Sequence, residues 1–156
     1  MPPKSSGHSR IHPVIDQTRL LALLGYNLKR ASLRISREYS KPMKQLGLRP
    51  AEFATLVLLL DNGGASQKSV ARALAIGAPN MAMLLDRLER RKLVQRLRHP
   101  RDERARQLTL TPAGRDTALR GCTTVDRHEK RAIAILTPAE RTEFMRLLHK
   151  LVAEEI

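Results

Sequence analysis

A chain of 156 residues with 42 % apolar side chains can bury a real core, which excludes a disordered polymer. Aromatic residues make up only 3 % and Trp is absent, so the core is aliphatic, and helices are favoured over a β-sandwich. With 29 basic and 15 acidic side chains the net charge is +14, which repels itself unless a polyanion is at hand: nucleic acid leads, an anionic membrane surface is second, and an RNA-bound protein fits equally well on charge alone.

The single cysteine, Cys122, excludes a disulfide within the chain. No apolar run follows the basic start as a secretory signal would, and none approaches the roughly 20 residues that span a bilayer. A soluble, cytoplasmic protein with no membrane partner is expected.

Residues 1–10 are rich in Pro, Ser and Gly and read as a flexible arm. From Val14 to Tyr39, Leu20, Leu24, Leu28, Ala31 and Ile35 recur at three- and four-residue steps, predicting one amphipathic helix, and Pro42 and Gly47 break the pattern. A second helix starts at Pro50, with Glu52 suited to the positive end of its dipole, and is apolar almost all round until Asp61-Asn62-Gly63-Gly64 ends it. Ser66 caps a short helix from Gln67 to about Leu74. A turn at 75–78 leads into a helix from Pro79 to about Arg91, with Met81, Leu84, Leu85 and Leu88 inward.

The period then changes from 3.6 to 2. Residues 93–98 and 106–111 read as strands of a hairpin, joined by a polar turn at 99–104. Thr111-Pro112 opens a long helix to about Leu136. Thr137-Pro138-Ala139-Glu140 is a capping box that starts a last helix carrying Phe144, Leu147, Leu148, Leu151 and Val152. The fold class is therefore mainly α with a small β-wing: an arm (1–10), an N-terminal dimerisation helix region (11–48), a winged helix-turn-helix (49–111) and C-terminal dimerisation helices (112–156). The flanking apolar stripes exceed what the small central domain can cover, so a second copy is expected to bury them.

Residues 90–106 hold eight basic and two acidic side chains, a net +6 on a helix end and a hairpin. Folding does not call for such a hairpin, but phosphates on both sides of a groove do. The run Asp102-Glu-Arg104-Ala-Arg-Gln-Leu108-Thr-Leu110-Thr-Pro-Ala-Gly114 resembles the wing signature of the MarR family of bacterial regulators. Leu84-Leu-Asp86-Arg87-Leu88-Glu-Arg-Arg-Lys-Leu93-Val94 resembles that family's recognition helix entering its first wing strand. The resemblance in helix order runs from about residue 14 to 153.

That resemblance implies a homodimer on double-stranded DNA at a pseudo-palindromic operator. It also implies that Arg104 is the wing arginine entering the minor groove, braced by Asp102, with a simple turn-stabilising ion pair as the other reading of the two. A narrow A·T-rich groove has the negative potential to attract such an arginine. Arg98 and Arg101 join them as wing contacts. One departure is Lys92, where the family usually has Gly; in a left-handed conformation it costs roughly 1 kcal/mol.

On the recognition helix, Pro79, Asn80, Ala82, Met83 and Arg87 face outward or sideways. Asn suits adenine, Arg suits guanine or phosphate, and Ala or Met suits a thymine methyl, with ordinary packing the other reading of Met83. Gln67 and Lys68 fit phosphate contacts. With few hydrogen-bonding readers, an A·T-leaning operator read largely by shape is expected.

No HExxH, Gly-rich phosphate loop, GxSxG or spaced carboxylate pair is present, so no enzyme, cofactor or metal site is expected, and Cys122 reads as a small packed residue. The stretch 23–34, with Tyr26, Arg30 and Arg34, resembles relatives that answer to aromatic acids or their CoA thioesters, and Arg37 shares a face with Tyr26 and Arg30. Tyr can stack on a ring while Arg holds a carboxylate or phosphate; the arginines also read as surface or interface charges. The expectation is a ligand-responsive regulator, a repressor released by a small anionic or aromatic effector. The alternatives are a basic architectural nucleic-acid binder and a membrane-surface protein.

Overall fold

The computed structural model describes residues 15–99 and 102–153, and their side chains except at 98, 99 and 102–105; the arm at 1–10 lies outside the described residues. The chain divides into two compact units, Met1–Leu33 and Arg34–Ile156.

In the first unit one continuous helix was expected from Val14, but the chain forms α1 (Thr18–Leu21) and restarts as α2 (Leu24–Gln45). Two polar side chains cause the break. Asp16 Oδ1 accepts from the Thr18 hydroxyl and backbone N–H (2.7 and 2.9 Å), which starts α1 and holds the Asp16 carboxyl below its ordinary range. Asn27 Nδ2 donates to the carbonyls of Leu21 and Leu23 (2.6 and 2.9 Å); at Leu21 it supplies the partner that a continuing helix would otherwise provide, while Leu23 also accepts from the Asn27 N–H (3.2 Å).

In the second unit α2 does not stop at Pro42, as expected, but runs through it to Gln45. Interior proline costs ~3 kcal/mol. Met43, next to it, is buried in the core with Leu48, and that burial offsets the cost. The helix ends one turn later at Gly47, whose φ is +66°.

Three helices end in the same way. The N–H groups of Gly47 and Leu48 return to Lys44 and Met43, those of Ala75 and Ile76 to Arg72 and Ala71, and those of Lys92 and Leu93 to Glu89 and Leu88. Each is a Schellman ending, which needs a left-handed residue. Only Gly47 adopts that conformation freely; Ala75 (φ 51°) and Lys92 (φ 56°) do so as non-glycines.

The winged helix-turn-helix comprises α3 (Pro50–Asp61), β1 (Ala65–Ser66), α4 (Gln67–Ala73), α5 (Ala78–Arg90), β2 (Val94–His99) and β3 (Asp102–Leu110). Beyond the expected hairpin, β1 pairs with β3 (Ala65 with Leu108), giving a three-stranded antiparallel sheet of order β1-β3-β2. The polar turn expected at 99–104 is shorter, because β3 already begins at Asp102. Pairing shifts between Arg98, opposite Arg106, and His99, opposite Asp102, so residues 103–105 fall between two paired positions.

The core joins Leu56 and Leu59 of α3, Val70 of α4, Met81, Leu85 and Leu88 of α5, and Leu108 of β3. Next, α6 (Pro112–Ala132) closes over it at two glycines. A Cβ on Gly114 would lie 1.9 Å from the Leu93 carbonyl oxygen, and one on Gly121 would lie 2.6 Å from the Phe53 ring.

α6 stops four residues short of the expected Leu136, because the Arg34 Nε–H caps the Ala132 carbonyl (3.2 Å) and the chain turns. α7 (Pro138–Val152) begins at the expected capping box: the Glu140 N–H donates to Thr137 Oγ1, and Glu140 Oε2 accepts from the Thr137 N–H (2.7 Å). No residue of α7 is buried; Leu147 is 45 % and Leu151 59 % exposed.

Candidate nucleic-acid interface

The face of α5 is decided by its 3.6-residue period. Met81, Leu84, Leu85 and Leu88 are buried, which turns Pro79, Asn80 and Met83 to solvent; Ala82 is half-buried on the flank. Met83 is 55 % exposed, so core packing does not account for it. The preceding helix is set by the Ser66 hydroxyl, which accepts from the Ser69 N–H (3.1 Å), and it carries a half-buried Gln67 and an exposed Lys68 in its first turn. These residues share a helix-turn-helix whose turn is the Ala75 left-handed ending.

Arg87 is placed differently. Its Nε–H donates to Glu52 Oε1 at 3.0 Å, so part of its guanidinium is held inside the protein. Glu52 is only 4 % exposed. Its other oxygen accepts from the Arg49 N–H (3.0 Å) and lies 3.8 Å from Arg91 Nη1. Sequence reading saw only a dipole role for Glu52. A glutamate in the first turn of an otherwise apolar helix was the available signal, but its partner lies 35 residues away.

A second tie, also missed, joins wing and helix. The Arg96 guanidinium on β2 donates to Asp86 (2.9 Å) and to Glu89 of α5. The alternation of β2 puts Arg96 on that side, and the two carboxylates are three residues apart on one helix face. The wing is thus fixed to the recognition helix by a bidentate arginine. The side chains of the wing residues Arg98, Asp102 and Arg104 lie outside the described residues, as does Arg101 entirely.

The residues expected to hold an effector fall in both units. In the first unit the Arg30 guanidinium lies over the Tyr26 ring, 5.7 Å from its centroid, a cation–π arrangement. In the second, Arg34 caps Ala132 and Arg37 is exposed. Cys122 is half-buried, among the described residues no group of three or more metal-ligating side chains stands together, and no described helix is long and apolar enough to cross a membrane.

The MarR family profile matches residues 46–105. Over 130 residues the chain is 34 % identical to HTH-type transcriptional repressor Rv2887 of Mycobacterium tuberculosis, covering 83 % of this chain and 94 % of that protein. The chain belongs to the MarR family. Among solved structures, this MarR protein is similar to the transcriptional repressor CouR bound to a 23-mer DNA duplex (37 % identity, TM-score 0.84, 90 % of this chain and 99 % of that one). It is also similar to CouR bound to p-coumaroyl-CoA (36 %, 0.78, 88 % and 97 %) and to Rv2887 in complex with salicylic acid (33 %, 0.68, 83 % and 96 %). The expected winged-helix regulator fold holds over nearly the whole described chain, and the protein is a DNA-binding transcription regulator.

Proposed function

We propose that two copies of this MarR protein clamp a pseudo-palindromic operator, repress transcription there, and leave when a small aromatic acid or aromatic acyl-CoA thioester binds. The likeness to DNA-bound CouR carries this reading, combined with the outward placement of Pro79, Asn80 and Met83 on α5.

Asn80 reads adenine, Ala82 and Met83 meet thymine methyls, and Gln67 and Lys68 hold phosphates. Arg87, anchored by Glu52, contacts phosphate at the groove edge. In the wing, Arg98 and Arg101 hold backbone and Arg104 enters the minor groove beside Asp102, by the resemblance of residues 102–114. The apolar face of α7 pairs with a second copy, which makes 112–156 and 11–48 the dimerisation regions around a DNA-binding domain at 49–111. Tyr26 and Arg30 hold the ring and acid group of the effector, and Arg34 and Arg37 supply further positive charge. The effector has to favour a lobe spacing that no longer matches two major grooves about 34 Å apart. The protein performs no covalent chemistry of its own.

Competition between operator and random duplex at raised salt tests this reading. A regulator keeps its preference, whereas a general basic binder loses both together. Arg104→Ala weakens operator binding in a folded protein, and Asn80→Ala relaxes preference at one base pair per half-site. Unchanged affinity and an unchanged operator profile would remove those roles.

A further inference from the structure

Four arginines converge where the α3 N-terminus meets the C-terminal end of α5. They surround a cavity of about 370 Å³ lined by Gly47, Arg49, Glu52, Arg87, Arg90 and Arg91. We propose that this cavity binds a small phosphate-class polyanion, the size of a diphosphate group, at a site that shares only Arg87 with the proposed DNA contacts.

The charge is one-sided: four arginines and a single carboxylate, Glu52, line the cavity, and Arg87 and Arg91 lie 3.0 and 3.8 Å from that carboxylate. The groups are also oriented from behind. Arg87 is held through its Nε by Glu52 (3.0 Å), Arg90 through its Nε by the Asp86 carbonyl (3.3 Å), and Arg91 by the carbonyls of Gly47 and Leu46 (2.6 and 3.3 Å). Among the described hydrogen bonds, the Nη groups of Arg87 and Arg90 and the whole Arg49 side chain have no partner. Guanidinium forks of this kind match phosphate oxygens bidentately.

Folding accounts for some of this cluster but not for all of it. Cations at the C-terminal end of α5 complement its dipole. Arg49 does the reverse. It occupies the N-cap of α3, where Ser, Thr, Asp or Asn is preferred and positive charge is disfavoured. A residue that breaks the local rule at the rim of a cationic cavity points to a ligand.

Ligand pockets begin at about 300 Å³, so the ligand is small. DNA is a poor occupant. Arg90 lies ten residues beyond Asn80, about 15 Å along the helix from the end assigned to bases. The site goes beyond the regulatory reading, because binding to the free protein requires no operator.

The test is calorimetric titration of the full-length protein with inorganic diphosphate at fixed ionic strength, with operator binding measured in parallel. Saturable binding at one site per chain is expected. An Arg49→Gln, Arg90→Gln double variant, which alters two exposed side chains, should weaken it at least tenfold and leave operator affinity within about twofold. Binding no different from chloride, or unchanged in the double variant, overturns the proposal. So does displacement of diphosphate by operator together with parallel loss of operator affinity, which would make the cluster a DNA-backbone contact.

Discussion

Replacing Gly114 by Ala tests the packing on which the wing depends. Gly114 is buried in the first turn of α6, and its N–H donates to Thr111 Oγ1 (3.0 Å). The added methyl would sit 1.9 Å from the Leu93 oxygen and 2.8 Å from its carbonyl carbon. Backbone, not a pliable side chain, must move. Overpacking a core costs about 1–3 kcal/mol, and a rigid neighbour puts this site at the upper end. The Leu93 carbonyl also accepts from the Thr111 N–H (3.1 Å), and disturbing that bond adds about 0.5–1.5 kcal/mol. A total near 4 kcal/mol corresponds to roughly 8–16 °C in Tm for a chain of this size. Thermal denaturation followed by circular dichroism measures it. Gly25→Ala is the control: nothing lies within 4 Å of its Cβ position, so its Tm should stay level or rise slightly. If Gly114→Ala melts within about 2 °C of the parent, the close approach of α6 to the base of β2 is not a constraint and the packing argument fails.

Lys92→Gly should stabilise by up to about 1 kcal/mol by relieving the left-handed lysine, seen as a higher urea midpoint at constant m-value. Arg96→Gln frees β2 from Asp86 and Glu89; operator affinity should fall several-fold with little change in Tm, and equal affinity would show that the tie does not orient the wing. Leu147→Asp with Leu151→Asp should yield monomers by light scattering, and an intact dimer would relocate the interface. The Thr137 backbone and side chain hydrogen bonds hold the Glu140 carboxyl below its ordinary 4.5. The stabilisation of α7 by this box is therefore complete above that value and is lost as pH falls through the lowered one. Helicity of Glu140→Gln against pH should lack this component of the acid transition.

Much of this MarR protein was legible because local rules decide it. The buried stripe of α5, the Ser66 cap, the Thr137 capping box and the helix start at Thr111-Pro112 are short-range signals, and each appears as expected; the change of period comes at Val94, one residue after the expected Leu93. The same stripe left Asn80 and Met83 outward. What was missed depends on partners far along the chain. Strand β1 is two residues long and exists only because β3 lies beside it. Pro42 looked like a stop until the burial of Met43 could be weighed against it.

Periodicity, capping residues and charge were sufficient to specify the helix order, the wing and a polyanionic partner, because each is written within a few neighbouring residues. Tertiary structure alone decided that Glu52 would hold Arg87, that Arg96 would bind the wing to α5, and that four arginines would share one cavity. Such pairings follow from how helices are brought together in space, which no local pattern encodes.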